Sequence, residues 1–298
     1  MLFQGWSIEK KVGFPGNPWS GHPFNAGNNI NGVNGDPNFD GIGTEVHTLT
    51  VPGVTAIQEA YVKKVIETVN DLDNVLYEIA NETGEFSTQW QYHMLNFIKK
   101  QEAGKQQQHP VGMTFQWSGG SNNALFNSPA DWISPNEVGG YKDNPPDARG
   151  KKIILTDTDH LWGEGGDGNW VWKSFLRGMH PIFMDDIDKQ DNWRLDARKA
   201  MGYTLAYAEK MKLAIMTPQN SLASTGYCLA KAGSEYLVYQ PNSGPFTVNL
   251  LAGRYAVEWF NPHTGLTTLG ESVSNGGNKS FTPPHPGMAV LYLKKVKG

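Results

Sequence analysis

The strongest constraint on the fold is a change of pattern near residue 213. Before it, short apolar runs alternate with segments in which apolar residues recur at helical spacing. After it, short strand-like segments follow one another, separated by turn sequences such as Ala232-Gly233-Ser234. Alternating strands and helices are typical of parallel βαβ units, whereas closely spaced short strands are typical of a sandwich. We therefore expect an α/β domain over residues 1–213 and an antiparallel β-sandwich over residues 214–298.

The individual elements follow from hydrophobic periodicity. In the first domain we expect helices over 54–70, 89–100, 170–177 and 194–212, and strands over 74–80, 110–115, 131–133, 152–156 and 181–184. In the second we expect strands over 227–231, 236–240, 246–250, 254–260, 267–269, 279–282 and 289–294. Residues 1–6 predict the end of one further strand.

The number of strands bears on the architecture. About six strands precede the sandwich, whereas a closed (β/α)₈ barrel has eight. We therefore expect a TIM-type barrel that is incomplete at its N-terminus and lacks two βα units. Such a barrel would expose two sheet edges, through which a second copy could associate.

Composition excludes several classes of function. Lys and Arg number 25 against 29 Asp and Glu, a formal net charge of −4, so neither nucleic acid nor an anionic membrane is an expected partner. No apolar run approaches the roughly 18 residues needed to span a bilayer. The single cysteine, Cys228, rules out a disulfide framework and a Cys-rich zinc site. The chain has no Walker loop and no Gly-x-Gly-x-x-Gly after a strand, and its histidines are dispersed, so we expect neither a cofactor nor a metal.

Carboxylates follow two of the predicted strands. Asn81 and Glu82 come directly after one, and Asp157 and Asp159, with His160, come after another. The two aspartates share a parity, so in an extended strand their side chains would point the same way. The carboxyl ends of barrel strands form the active site, and a pair of carboxylates there suits glycosidic bond cleavage. The alternatives are an acid at a helix N-terminus for Glu82 and an Asx turn or helix cap for the aspartates.

Aromatic residues near strand ends suit a sugar site. Trp6, Trp117 and Trp162 each follow a predicted strand, and Trp19 lies in the Gly-, Asn- and Pro-rich segment 11–52. Indole rings stack on the apolar faces of pyranoses, although ordinary core packing is the alternative for each of them. Core packing is what we expect of the tryptophans at helical positions, which are Trp90, Trp172 and Trp193.

Two acidic groups are weaker candidates for binding Ca²⁺. One is Asp185, Asp186 and Asp188, and the other is Asp36 with Asp40. Carboxylate oxygens are calcium ligands, but acidic turns are also common on solvated surfaces. We favour a solvated turn for the 185–188 group.

The segment Leu76-Tyr77-Glu78-Ile79-Ala80-Asn81-Glu82 resembles the fourth-strand Asn-Glu signature of clan A glycoside hydrolases. The resemblance implies that Glu82 is the general acid/base and that Asn81 contacts the 2-hydroxyl group of the sugar. Residues 153–157 are similar to the seventh strand, whose end holds the nucleophile. The clan normally has Glu there, whereas this chain offers Asp157 or Asp159, so the nucleophile and the stereochemical outcome stay open.

The C-terminal part, from about Tyr203 to Leu293, resembles the collagen-binding-type β-domain that commonly follows such barrels in bacterial apiosidase-like glycosidases. Together the resemblances imply a glycoside hydrolase acting on a plant or microbial polysaccharide or oligosaccharide. They also imply a secreted or periplasmic parent protein, although residues 1–6 do not have the pattern of a signal peptide. The alternatives are a non-catalytic carbohydrate-binding protein built on a degenerate barrel and an adhesion module carrying a remnant barrel.

Overall fold

A computed structural model describes residues 1–7, 15–148 and 150–296 of the chain. The chain forms two compact units, Met1–Asn136 and Glu137–Gly298. The domain boundary near residue 213 stays a prediction.

The first unit combines short parallel strands with helices. Its elements are β1 (Phe3–Gln4), α1 (Pro52–Val69), β2 (Tyr77–Glu78), β3 (Ala80–Asn81), α2 (Thr88–Glu102), β4 (Val111–Thr114), α3 (Asn122–Asn127) and β5 (Trp132–Ser134). Strands β2, β4 and β5 lie side by side and run parallel, and β1 pairs in parallel with β3. The backbone N–H of Ile79 donates to the Gly112 carbonyl, so β2 and β3 continue one another along β4.

Helical periodicity explains how α2 packs in this unit. Trp90, Met94 and Ile98 recur at spacings of four and are fully buried. The indole N–H of Trp90 donates to Oε1 of Gln58 in α1 at 2.9 Å, which satisfies the one polar atom of a buried ring. The core of this unit is therefore built from the apolar stripe that the sequence predicts.

Asparagine side chains order the long segment before α1. Its described residues 15–51 contain three 3-10 helices, Pro18–Gly21, Ala26–Asn28 and Thr44–His47. The side chain of Asn17 caps the first by accepting from the Trp19 N–H, and that of Asn25 caps the second. Trp19 is only 3% exposed and packs with Val46 and Val54. A ring covered in this way is a packing residue, so the structure corrects the expectation that Trp19 offers a face to a sugar.

The second unit begins with parallel strands and continues as an antiparallel structure. Its elements are β6 (Ile153–Asp157), α4 (Thr158–Trp162), α5 (Gly168–Leu176), β7 (His180–Ile182), α6 (Asn192–Lys210), β8 (Thr217–Pro218), β9 (Cys228–Lys231), β10 (Glu235–Gln240), β11 (Phe246–Leu250), β12 (Arg254–Asn261), β13 (Leu266–Ser274), β14 (Gly277–Phe281) and β15 (Ala289–Lys295). Strands β6 and β7 are parallel. The later strands form a six-stranded antiparallel sheet, in the order β13-β12-β15-β10-β9-β8, and a two-stranded sheet of β11 and β14.

The six-stranded sheet is covered on both faces. On one face Tyr236 and Val238 pack in the core that β11 and β14 complete. On the other, Tyr239 of β10 stacks on Trp172 of α5, with ring centroids 6.0 Å apart, and Phe260 of β12 packs against the same indole. All six residues of β10 are consequently buried. The expected β-sandwich is confirmed, with α5 and α6 as a third layer.

Most predicted elements are confirmed, with ends that shift by a few residues. The exceptions include α3, α4 and β8, which were not predicted, and β13, which is nine residues long rather than the three expected. α3 is short and begins where the Ser121 side chain accepts from the Ala124 N–H. Among the described residues, no helix combines the length and apolar character needed to cross a membrane.

Candidate active site

Glu82 follows the last residue of β3 and has a left-handed backbone, with φ of 52°. Strand β1 lies beside this turn, because Gln4 pairs with Asn81. The next residue, Gly5, packs on the turn so closely that a Cβ atom there would overlap the Glu82 carbonyl and lie 2.8 Å from Cα of Thr83. Two strand ends therefore fix the backbone that carries the half-buried Glu82 side chain.

A buried polar network holds the segment that follows Glu82. Nε2 of Gln116 donates to the Gly84 carbonyl and to Oγ of Ser87, both at 3.0 Å. Nε2 of Gln91 donates to Oγ1 of Thr83 at 2.8 Å and to Oγ of Ser87 at 3.0 Å. These four bonds restrain the backbone they join, although the buried Oε1 of Gln91 has no hydrogen-bond partner among the described residues. Thr83 and Gly84, immediately after Glu82, are thus fixed to α2 and to the end of β4.

The segment that carries Trp117 runs beside the one that follows Glu82. Gly84 and Ser118 form a parallel bridge, and the Glu85 N–H donates to the Ser118 carbonyl at 2.8 Å. Trp117 is 43% exposed, and Trp6, next to Gly5, is half-buried. Asn81, Glu82, Trp6 and Trp117 therefore lie on adjoining segments at the strand ends of the first unit.

Asp157 ends β6 and is the N-cap of α4. Its Oδ1 accepts the Asp159 backbone N–H at 2.9 Å. Burial is the main cause of a raised pKa for this carboxyl group, and the Asp159 N–H and the charge of His160 act in the opposite direction. The chain turns into α4 at Thr158, so the strand is not extended from Asp157 to Asp159, which was the condition for their side chains to point the same way. Asp159 and the half-buried His160 lie in α4 itself.

A cavity of about 380 Å³ opens near Trp162, the last residue of α4. Three indoles contribute to it, and those of Trp162 and Trp170 meet edge to face with centroids 5.5 Å apart. The ammonium group of Lys142 lies 5.4 Å from the centroid of Trp162. Its lining consists of Lys142, Asp143, Trp162, Gly165, Gly166, Asp167, Asn169, Trp170, Lys173 and Trp193.

The sequence analysis missed two of the three cavity tryptophans. Trp170 was not singled out, and Trp193 was expected in the core, whereas it is half-buried and lines the cavity. Trp90 and Trp172 are fully buried, as expected. The adjacent pair Gly165-Gly166 was the available signal, because a Cβ on Gly166 would lie 3.2 Å from the Trp170 ring and its φ is 87°.

One acidic group of the first unit has the geometry of a cation site. Oxygen atoms of Asp36, Asp40 and Glu45 all lie within 4.8 Å of one another. Both oxygens of Asp36 accept backbone N–H groups, from Asp40 at 3.2 Å and Gly41 at 2.9 Å. These two hydrogen bonds are enough to explain why the Asp36 carboxylate is buried, since they hold the loop in place.

One of the acidic residues after β7, Asp185, is paired with two arginines. Asp185 forms an ion pair with Arg198 at 2.5 Å and lies 3.5 Å from Arg194. The hydrogen bond from Arg198 lowers the pKa of the Asp185 carboxyl. Asp185 thus serves to hold the segment between β7 and α6, rather than to stand free as a calcium ligand.

Residues 212–290 match the model of a family described as "Putative collagen-binding domain of a collagenase". No curated protein sequence matches the chain. The match covers most of the six-stranded sheet and its partner sheet, in agreement with the resemblance noted for the C-terminal part.

Several solved structures of similar fold are glycoside hydrolases. One, described only as a glycoside hydrolase, is 13% identical with a TM-score of 0.55, over 84% of this chain and 70% of that one. A family 5 glycoside hydrolase from Bacteroides vulgatus is 13% identical with a TM-score of 0.59, over 85% and 69%. The catalytic domain of the family 30 xylanase C from Talaromyces cellulolyticus is 9% identical with a TM-score of 0.52, over 81% and 68%. The chain therefore has the fold of TIM-barrel glycoside hydrolases, followed by a β-sandwich.

Proposed function

We propose that the protein is a glycoside hydrolase that cleaves a plant or microbial polysaccharide or oligosaccharide. The observation that carries the proposal is the position of Glu82. It follows Asn81 at the carboxyl end of a parallel strand, in a chain that shares its fold with glycoside hydrolases. In barrel enzymes this end of the strands carries the catalytic groups.

Glu82 is proposed as the general acid/base. A protonated carboxyl group gives its proton to the oxygen of the departing sugar, and the resulting carboxylate then takes a proton from water. Such a group must be held in one position, and Gly5 and the Thr83–Gly84 network restrict the backbone on either side of Glu82. Asn81 is proposed to contact the 2-hydroxyl group of the same sugar.

Asp157 is proposed as the second carboxylate, either as the nucleophile or as the base that activates water, with Asp159 as the alternative. The hydrogen bond from the Asp159 N–H orients the Asp157 carboxyl group. Either role requires the ionised form. Because burial raises the pKa of Asp157 above its usual 3.8, activity should begin to fall at a higher pH than for a free aspartate.

Sugar contacts are proposed for the half-buried or exposed aromatic residues near the strand ends. Exposed indole faces can stack on pyranose rings, and an imidazole can bond a hydroxyl group. The residues concerned are Trp6, Trp117, Trp162 and His160.

The test is hydrolysis of a panel of plant and microbial glycans by the wild type and by Glu82→Gln. The substitution keeps the size of the side chain and removes its acidity, so activity should fall by about 10²–10⁴-fold. Glu85→Gln is the matched control, because Glu85 is an exposed glutamate three residues away and should be dispensable. Equal activity of Glu82→Gln and the wild type would remove Glu82 from the mechanism.

A carbohydrate-binding protein without catalysis is the second candidate. The observation in its favour is the capping bond of Asp157, since a carboxylate can be retained at a strand end for that purpose alone. This candidate would be favoured if the wild-type protein bound glycans but released no reducing ends from any glycan of the panel.

A further inference from the structure

The chemistry of the cavity beside Trp162 selects a class of ligand. Trp162 and Trp193, both half-buried, supply apolar ring surface, whereas Trp170 is only 3% exposed and packs behind the lining. Two lysines and two aspartates also line the cavity, so their formal charges balance. Lys142 is itself paired with Glu137 at 2.9 Å. At about 380 Å³ the cavity lies at the small end of the range for ligand sites. Flat ring surface with balanced hydrogen-bonding groups suits a neutral sugar ring better than an anion.

One amide of the cavity is held by the β-sandwich. Oδ1 of Asn169 lies 2.9 Å from the hydroxyl oxygen of Tyr239, on β10. The sulfur of Met288 lies at the same distance from that hydroxyl group. A phenol has one proton, and an amide oxygen is a stronger acceptor than a thioether, so Tyr239 donates to Asn169. This bond uses the oxygen of the Asn169 amide and leaves its NH₂ group for the cavity.

Tyr239 is itself fixed in place. It is fully buried, and its ring lies nearly parallel to that of Trp172, at 19°. Burial, together with Asp167 and Asp196, raises the pKa of Tyr239, so the hydroxyl group remains a neutral donor. A rigid donor can set the orientation of an otherwise rotatable amide.

We propose that the cavity beside Trp162 is a subsite for a neutral sugar ring, and that Tyr239 is a positioning residue which aims the Asn169 amide at that ring. The inference rests on the proposed function for the class of ligand. It gives the β-sandwich a direct part in sugar recognition.

The experiment is a titration of tryptophan fluorescence with neutral monosaccharides (xylose, arabinose, glucose and galactose) and with glucuronate. Tyr239→Phe keeps the stacked ring and removes only the hydroxyl group, so sugar affinity should fall about five- to tenfold. Asn169→Ala should cause a similar loss of sugar affinity. The double variant should lose little more than either single variant, because both changes break the same contact, the Tyr239–Asn169 hydrogen bond.

Tyr236→Phe is the matched control. Tyr236 is equally buried on the same strand, but its hydroxyl accepts N–H groups of Gly233 and Leu251 inside the sandwich. Both phenylalanine variants should lower the melting temperature, whereas only Tyr239→Phe should weaken sugar binding. Equal loss of affinity in both variants would reduce Tyr239 to a structural role and overturn the proposal.

Two further results would also overturn it: no response to any neutral sugar, or a preference for glucuronate. Monosaccharides contain no glycosidic bond, so this titration reports on the subsite alone. A protein that binds sugars as expected yet hydrolyses no glycan would refute the proposed function and leave the subsite standing.

Discussion

The carbonyl group of Glu82 occupies the space in which a Cβ atom on Gly5 would lie. The two residues are 77 positions apart and meet because β1 pairs with β3 directly before them. Glu82 also has a left-handed backbone, which side chains other than glycine adopt at some cost. A turn of this kind persists only where its surroundings determine it, and Gly5 is one of those surroundings.

Gly5→Ala should therefore displace Glu82. We expect a loss of about 1–3 kcal/mol in the free energy of unfolding, as for other overpacked sites, and at least a tenfold loss of hydrolysis. Gly53→Ala is the control, because Gly53 lies in α1 with open space around its Cα, so alanine should be neutral or stabilising. Urea unfolding and a glycan assay measure the two effects, and a fully active Gly5→Ala would show that Glu82 does not depend on this contact.

Substitutions of Asp157 should separate its capping role from its chemistry. Asn caps helices about as well as Asp, so Asp157→Asn should retain stability, whereas Asp157→Ala should lose about 1 kcal/mol. If the carboxylate takes part in hydrolysis, both variants should be inactive. Melting temperatures measure the capping role, and glycan hydrolysis measures the catalytic role. An active Asp157→Asn would show that Asp157 serves only as the N-cap of α4.

His109 should make stability depend on pH on the alkaline side. Nδ1 lies 2.7 Å from the buried Glu102 carboxylate and Nε2 lies 2.7 Å from the Leu72 carbonyl, so both nitrogens face acceptors. Burial alone would lower the pKa of His109, but these bonds outweigh it and raise the pKa above 6.5. The stabilisation is complete below pH 6.5 and is lost as the pH rises through the raised pKa.

The measurement is the urea midpoint between pH 6 and pH 9 for the wild type and His109→Gln. Gln cannot titrate, so the variant should be less stable at pH 6 and should lose less stability as the pH rises. Parallel curves for the two proteins would mean that His109 is not protonated in the folded state.

His47 should make the stability of the fold depend on pH in the acid range. Burial, with a smaller contribution from the charge of His22, lowers the pKa of His47 to about 3. A histidine that must stay neutral when folded stabilises above pH 6.5, and stability falls as the pH decreases from there towards 3, by about 1.4 kcal/mol per pH unit. His47→Phe should flatten this part of the unfolding profile, since the site is aromatic and packs against Trp90. An unchanged slope in the variant would assign the acid sensitivity to other groups.

Local pattern was enough to locate most elements and the strand ends. The spacing of Trp90, Met94 and Ile98 identifies α2, and the polar residues after two apolar runs identify Glu82 and Asp157. These features were predictable because the structure at these places depends on residues that are close together in the sequence.

Contacts between distant segments were not predictable in the same way. Nothing near Asn169 in the sequence indicates that Tyr239, 70 residues later, bonds its amide. The burial of Trp19 and the only partial burial of Trp193 likewise depend on which segment covers each ring. The assumption of an extended strand failed at Asp157 because its own side chain caps the helix that begins there. Periodicity tells which face of an element is apolar, but not what will cover it.

The double coverage of the six-stranded sheet limits how this β-domain can be exchanged between proteins. A fragment cut at the limits of the family match, residues 212–290, would leave α5 and α6 behind. Tyr239 and Phe260 would then meet water, although each now packs against an aromatic residue of those helices. Such a fragment would expose an apolar surface and would tend to aggregate. A fusion that carries the sheet should therefore carry α5 and α6 with it, because these helices cover one of its two apolar faces.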